Sequence, residues 1–274
     1  MPEEQIDEIL ALVARRRGID FRDYRRDTVC RRAELRVRAT GCADLAAYCR
    51  YLSNSGDEVD RLVETLVVPV TEFFRDAWAF QELADRVLPE LLARKPLVRA
   101  WVAGAATGEE AYTLAILLAE ASARIRGNDF EVIASDLDQG SLEKARRGIY
   151  PAAVAMNVPA DLLGRHLRYE AGSVRVLESL RNRVRFAQHD LTGTLLAPRE
   201  AVVAAFDLVL CRNVLLYFTE PLRTTVASRL AGVLEPGGAL MIGAFESLPE
   251  GLSGRLDAYP GIKSGAGIFR RSTA

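Results

Sequence analysis

The chain has 274 residues, 49% of them hydrophobic, and a formal net charge of −1. That composition suits a globular protein large enough for one sizeable domain, or for a large and a small one. No apolar run approaches the roughly 20 residues that span a bilayer, so membrane insertion is not expected. The acidic start, MPEEQIDEIL, reads as an amphipathic helix and not as a signal peptide. Cys30, Cys42, Cys49 and Cys211 show no CxxC spacing, and His166 and His189 are the only histidines. No metal site is expected, and reduced thiols in a cytoplasmic protein are.

Residues 1–68 read as helical. Ile6, Ile9, Leu10 and Val13 recur on one helical face, and Gly18, Gly41 and Ser53-Asn54-Ser55-Gly56 punctuate the stretch. Between Arg15 and Arg38 stand ten arginines against four acids. A solvated helix face is the plain account of such a run. The sharper one is a docking surface for an acidic partner, since clustered like charge steers association. Aromatic residues do not interleave with the arginines as a nucleic-acid stacking platform requires, so the partner expected is an acidic protein and not nucleic acid.

Val67-Val68-Pro69-Val70 reads as an extended connection, because Pro69 biases Val68 away from helix. Thr71 is placed to cap the next helix, whose apolar face would hold Phe73, Phe74, Trp78, Phe80 and Leu83. Arg75 falls between the helical part and a nucleotide-binding part, either in a surface ion pair or in a site. The short apolar run Val98–Val102 then stops at Ala103-Gly104-Ala105-Ala106-Thr107-Gly108. Glu109 and Glu110 come next, and then the helical pattern Leu114, Leu117, Leu118. Strand, small-residue turn and helix make a nucleotide-binding βα unit, and the small residues let a ligand approach the backbone. A dinucleotide site would show GxGxxG and hold a pyrophosphate at the helix start. Here the spacing is G-x-x-x-G, and the two carboxylates repel phosphate and suit a cation, such as the sulfonium of S-adenosylmethionine.

A second strand, Phe130–Ser135, ends in Asp136-Leu137-Asp138. Asp136 stands where a Rossmann-like site holds ribose hydroxyls, and Asp138 reads as an N-cap. Residues 149 to about 182 break the α/β alternation with a short helix and a small hairpin around Ala171-Gly172, an insertion. Val184–Ala187 leads to His189-Asp190-Leu191. Phe206–Leu210 ends in Cys211-Arg212-Asn213-Val214-Leu215-Leu216-Tyr217-Phe218. Polar residues at the carboxyl end of a buried strand sit where ligands bind, which makes Arg212, Asn213 and Tyr217 site candidates. A helix over Pro221–Leu234 stops at Pro236-Gly237-Gly238, Ala239–Gly243 forms a fifth strand, and Phe269-Arg270-Arg271 a last one.

The ordered set Thr71-x-Phe73-Phe74-Arg75-Asp76, Thr107-Gly108-Glu109-Glu110-x-Tyr112, Ala134-Ser135-Asp136-Leu137-Asp138, Ala145-Arg146-x-Gly148-Ile149-Tyr150, Cys211–Phe218 and Pro236-x-Gly238 resembles the CheR family of chemoreceptor glutamate methyltransferases. The N-terminal Arg31-Arg32…Arg36 pattern fits as well, and the likeness covers nearly the whole chain. It implies an N-terminal all-helical docking domain over 1–68, a linker and connecting helix over 69–95, and a methyltransferase domain over 96–274. The last would be a class I S-adenosylmethionine-dependent methyltransferase, Rossmann-like, with a mixed seven-stranded sheet and a small β-subdomain at about 150–182.

By this resemblance S-adenosylmethionine is the donor, S-adenosylhomocysteine the product, and glutamates of a chemoreceptor's cytoplasmic coiled coil the acceptors. The expected enzyme is a monomer. Cofactor contacts fall on Thr71, Arg75, Glu110, Asp136, Asp190, Leu191, Arg212 and Asn213. Arg75 and Tyr217 lie nearest the reaction, and Arg25, Arg31, Arg32, Arg36 and Arg38 face the acidic receptor helices.

Three departures stand out. Pro69 replaces an Asn common in the family, Asp190 stands where some members have Asn, and the hairpin over Leu167–Val176 is short beside members that grip a tethering pentapeptide. Independence of such a tether is expected. The competing readings are a methyltransferase of the same fold acting on a small molecule or another protein, a regulator that binds S-adenosylmethionine without turnover, and a nicotinamide dehydrogenase. The last is disfavoured by G-x-x-x-G and Glu109-Glu110.

Overall fold

The computed structural model describes residues 3–67, 71–125, 128–201 and 204–273. The connection expected at Val68-Pro69-Val70, with the altered contact at Pro69, lies outside the described residues. The chain divides into two compact units, residues 1–68 with Leu216–Arg223, and Pro69–Leu215 with Thr224–Ala274.

Among the described residues of the first unit, four helices follow one another: α1 (Glu3–Arg17), α2 (Arg26–Thr40), α3 (Leu45–Asn54) and α4 (Gly56–Leu66). Ile6, Ile9, Leu10 and Val13 of α1 are all buried, as their spacing predicts. Gly41 ends α2 in the left-handed conformation, φ 71°. Asp44 and Ser55 cap α3 and α4 by accepting the amide protons of Ala47 and Glu58.

The arginine-rich α2 buries only Val29 and Ala33, so most of its arginines remain at the surface. Arg36 is different. Both its Nε and Nη2 donate to Glu58 at 2.8 Å, and Glu58, whose side chain is fully buried, also accepts the Tyr48 hydroxyl at 2.9 Å. Arg36, expected on the docking face, is thus turned inward as the counter-ion of a buried acid. Arg25, Arg31 and Arg38 are exposed, and Arg32 is half-buried. The Leu216–Arg223 segment is tied to this unit by Arg25 N–H to Tyr217 O at 2.8 Å and Thr219 N–H to Asp23 O at 2.9 Å. Tyr24 and Phe218 pack edge-on at 5.0 Å.

The second unit opens with α5 (Ala77–Glu82), a π-helical turn over Leu83–Val87, and α6 (Leu88–Arg94). The remaining helices are α7 (Glu109–Ala123), α8 (Gln139–Arg147), α9 (Ala160–His166), α10 (Glu178–Arg181) and α11 (Glu220–Gly232), the first turn of which groups with the helical unit. Ten strands are interspersed among the described residues: β1 (Leu97–Ala103), β2 (Asp129–Asp136), β3 (Ile149–Pro151), β4 (Leu167–Glu170), β5 (Ser173–Val176), β6 (Val184–Gln188), β7 (Phe206–Cys211), β8 (Leu234–Ile242), β9 (Leu256–Ala258) and β10 (Ile268–Arg271).

Seven of these strands form one sheet in the order β6-β2-β1-β7-β8-β10-β9, and β3, β5 and β4 form a small separate sheet. β6, β2, β1, β7 and β8 run parallel, while β10 is antiparallel to both β8 and β9. Parallel strands are covered on both faces, and every residue of β7 is buried. The five parallel strands therefore deliver their carboxyl ends, and the loops attached to them, to one edge of the sheet. The hairpin turn of the small sheet sits at Ala171 and Gly172, φ 44° and 82°, a pair of left-handed residues suited to a tight antiparallel turn.

Several expectations shift. α5 begins at Ala77 behind Asp76, so Thr71 does not cap it. Phe73, Phe74, Phe80 and Leu83 are buried, but Trp78 is 45% exposed. α11 stops at Gly232, and β8 starts at Leu234 instead of Ala239. Its pairing with β7 slips between Phe206 and Leu208. Pro236-Gly237-Gly238 is therefore an irregularity inside the strand, and Gly237 sits there at φ 74°.

Candidate active site

The loop after β1 needs glycine at both ends. A Cβ on Gly104, φ +82°, would stand 2.4 Å from Val214 Cγ2, and one on Gly108, φ +94°, would stand 2.7 Å from Ala145 Cβ. The backbone amides between them are directed at β2. Gly104 and Ala105 donate to Ser135 O at 2.8 and 2.9 Å. Ala106 N–H donates to Asp136 Oδ2 at 2.8 Å, and Asp138 N–H to Asp136 Oδ1 at 2.9 Å. Asp136 thus pins the loop to the end of β2. Burial pushes its carboxyl above the ordinary range, against the pull of the Asp138, Ala106 and Leu137 amides. Asp138 caps α8 through Gly140 N and Ser141 N, as its position predicts.

At the carboxyl end of β7, the Arg212 side chain is fully buried between two carboxylates. It donates to Glu110 Oε2 at 2.9 Å and Asp76 Oδ2 at 2.8 Å. Its Nη2 also reaches Arg75 O at 3.1 Å, and its guanidinium carbon lies 4.7 Å from the centre of the Phe80 ring. Its Nε is buried with no hydrogen-bond partner among the described residues. Burial raises the Glu110 carboxyl, while Arg212 and then Arg75 draw it down.

Phe74 and Asp76, on either side of Arg75, hold φ of 54° and 56°, a strained conformation for side-chain-bearing residues. Thr113 Oγ1, which donates to Glu109 O at 2.8 Å, accepts the Phe74 amide at 3.0 Å and helps fix this turn. Ala106 and Asn213 are left-handed as well, φ 45° and 59°. Four of the five such non-glycine residues in the described chain therefore flank this one region.

Glu246, beyond the end of β8, escaped sequence reasoning. Its Oε2 accepts Asn213 N–H at 2.8 Å and Gly243 N–H at 2.7 Å, stapling the loops after β7 and β8 together. An acid shortly past a strand end is the only sequence trace of it. Asp190, after β6, folds its own turn by accepting both the amide and the hydroxyl of Thr192 at 2.8 and 2.7 Å. Leu191 O accepts from Arg229 of α11 at 3.3 Å.

Of the expected site residues, the structure brings Arg75, Glu110 and Arg212 into one network and adds Asp76. Asp136 ends β2, and Asp190, Leu191 and Asn213 stand on the loops after β6 and β7, at the same sheet edge. Thr71 is half-buried ahead of the strained turn. Tyr217 is half-buried and belongs to the helical unit, where its carbonyl accepts from Arg25.

A mixed seven-stranded sheet with five parallel strands, a small-residue loop after its first strand and acids at its carboxyl edge defines a class I S-adenosylmethionine-dependent methyltransferase. More narrowly, the chain belongs to the CheR methyltransferase family: residues 69–260 match that family's SAM binding domain and residues 4–67 its all-alpha domain.

The chain is 35% identical over 245 residues to the chemotaxis protein methyltransferase of Escherichia coli K12, covering 87% of this chain and 82% of that one. It is 32% identical over 236 residues to chemotaxis protein methyltransferase 2 of Vibrio cholerae, covering 84% and 81%. An uncharacterized 104.1 kDa protein of Rhodobacter capsulatus is 32% identical over 251 residues. There the match takes in 90% of this chain and 26% of the relative, so the chain spans about a quarter of that relative's length. Among the described residues no helix is long and apolar enough to cross a membrane.

Proposed function

We propose that this chain transfers a methyl group from S-adenosylmethionine to glutamate side chains in the acidic cytoplasmic coiled coil of a chemoreceptor. The observation that carries this reading is the buried Arg212 held between Glu110 and Asp76 beside Arg75, in a chain of the CheR family. The donor set fits the cofactor. The small-residue loop puts little side-chain bulk in a ligand's way, Asp136 offers a carboxylate at the end of β2 for ribose hydroxyls, and Glu110 supplies negative charge to a cationic ligand. S-adenosylmethionine, when bound, supplies an electrophilic methyl on a sulfonium.

The chain's own residues need only bind, orient and exclude water. A glutamate acceptor, with an ordinary pKa of about 4.3, is already ionised near neutral pH, so no general base is required. Positioning carries the rate. In this reading Thr71, Arg75, Glu110, Asp136, Asp190, Leu191, Arg212 and Asn213 contact the cofactor. Arg75 orients a carboxylate, and Tyr217 fixes the acceptor oxygen or the methyl. Arg25, Arg31, Arg32 and Arg38 form the docking face, and Arg36 supports it from within through Glu58.

The short β4–β5 hairpin, four residues in each strand, supports independence from a receptor tether. Calorimetry with the receptor's terminal pentapeptide tests this, and a micromolar complex would refute it. Labelled-methyl transfer to a receptor cytoplasmic domain tests the reaction itself. Tyr217→Phe is expected to lower turnover about tenfold or more with S-adenosylhomocysteine affinity unchanged. Unchanged turnover removes Tyr217 from the active site.

A further inference from the structure

Beyond β8 the chain makes a tight turn, Gly243-Ala244-Phe245-Glu246, closed by Glu246 N–H to Gly243 O at 2.9 Å. The Glu246 carboxylate then locks it by accepting Gly243 N–H at 2.7 Å and Asn213 N–H at 2.8 Å. A side chain at its first position would press on the locking carboxylate. A Cβ on Gly243 would stand 2.7 Å from Glu246 Oε2 and 3.0 Å from Asn213 Nδ2. On this rigid turn Phe245 is 93% exposed, the most exposed large hydrophobic side chain among the described residues.

An isolated apolar side chain at a surface is ordinary. What sets Phe245 apart is where it is held and how firmly. Its turn extends from the strand next to β7, and Glu246 acts electrostatically on both Glu110 and Cys211. The turn is therefore held against the loop that carries Arg212 and Asn213, with Phe245 exposed on it. Because the backbone of the turn is already fixed, covering the ring restricts only its two side-chain torsions, a small loss for the apolar area gained.

We propose that Phe245 is a specificity-determining residue that packs against an apolar side chain neighbouring the acceptor glutamate on the polypeptide substrate. This rests on the reading of the chain as a protein-glutamate methyltransferase and adds to it a second point of recognition. The acceptor carboxylate goes to the reacting centre, and an adjacent aliphatic or aromatic side chain covers Phe245. Free glutamate has no such group and leaves the ring wet, so the contact favours polypeptide over small-molecule acceptors. On one face of an acceptor helix the neighbour would lie three or four residues from the methylated glutamate.

The test is steady-state methyl transfer to a purified receptor cytoplasmic domain by wild type, Phe245→Ala and Phe245→Leu, with S-adenosylhomocysteine affinity measured calorimetrically for each. Because the ring makes almost no buried contact, Phe245→Ala should melt at the wild-type temperature. It is expected to lose about fivefold or more in kcat/KM, carried by KM, with cofactor affinity within about twofold of wild type. Phe245→Leu should recover most of the loss. Transfer by Phe245→Ala at the wild-type kcat/KM, or a loss that tracks cofactor affinity, overturns the assignment. If wild type itself transfers no methyl to the receptor domain, the protein-glutamate reading falls and takes this assignment with it. An active wild type with an indifferent Phe245→Ala overturns the role of Phe245 alone.

Discussion

Replacing Arg212 with methionine keeps an unbranched side chain of similar length and removes the guanidinium. The Arg212 side chain is fully buried, and its partners Glu110 and Asp76 are only 13% and 24% exposed at their side chains. The substitution therefore strands acids that water reaches poorly. Breaking a buried pair from one side costs about 3–5 kcal/mol. For a unit of this size, at about 2–4 °C per kcal/mol, the melting temperature should fall by roughly 10 °C.

The loss carries a pH signature. Burial already holds the Glu110 carboxyl above the ordinary range, and Arg212 is the main group opposing that. A carboxyl raised in the folded state contributes most favourably below its unfolded pKa, and that contribution is lost as pH rises through the raised value. Without Arg212 the carboxyl climbs further. The deficit of Arg212→Met should then be largest near pH ~8 and shrink toward about pH 5.

Urea unfolding of wild type, Glu110→Gln, Arg212→Met and the double variant across that range closes a double-mutant cycle. The expected coupling between the two positions is about 2 kcal/mol or more at the alkaline end, so that the double variant is more stable than additivity allows. A deficit of Arg212→Met that is below about 1 kcal/mol, flat with pH and additive with Glu110→Gln would refute the buried-network argument.

Gly104→Ala places a Cβ 2.4 Å from Val214 Cγ2 at a φ of +82°. It should cost about 1–3 kcal/mol in denaturant unfolding and abolish S-adenosylhomocysteine binding by calorimetry. In the helical unit the arginines should separate into two kinds. Arg36→Ala exposes the buried Glu58 to the loss of its counter-ion and should destabilise by about 3 kcal/mol or more. Arg31→Glu with Arg38→Glu, both exposed, should leave melting within about 1 °C while lowering kcat/KM for the receptor domain, by a factor that shrinks as salt rises. Equal melting losses in all three would show that the two kinds do not exist.

Much of this site was legible because it is local in sequence. The strand, small-residue turn and acid pair at Val98–Glu110 fix one βα unit. Asp136 falls at a strand end by counting, Asp138 caps by its spacing, and Ala171-Gly172 marks its own hairpin. What escaped was made by distance. Nothing near Glu246 says that its carboxylate reaches back 33 residues to Asn213 N–H. Nor does the α2 pattern reveal that Arg36, alone among its arginine neighbours of Arg31, Arg32 and Arg38, meets an acid from α4. Thr71 has the chemistry of a helix cap, but the strained turn at Phe74–Asp76 intervenes and delays the helix to Ala77. The Pro-Gly-Gly stretch reads as a stop signal on propensity, yet tertiary pairing with β7 absorbs it as an irregularity within β8.

The measurement closest to the central claim is residue-level mapping of methyl transferred by this chain to an intact receptor cytoplasmic domain, with labelled S-adenosylmethionine. The expected product is a base-labile methyl ester on glutamate side chains of the coiled coil, formed in proportion to S-adenosylhomocysteine released. Label on a different side chain, or saturable S-adenosylhomocysteine binding with no label on any glutamate, would contradict it.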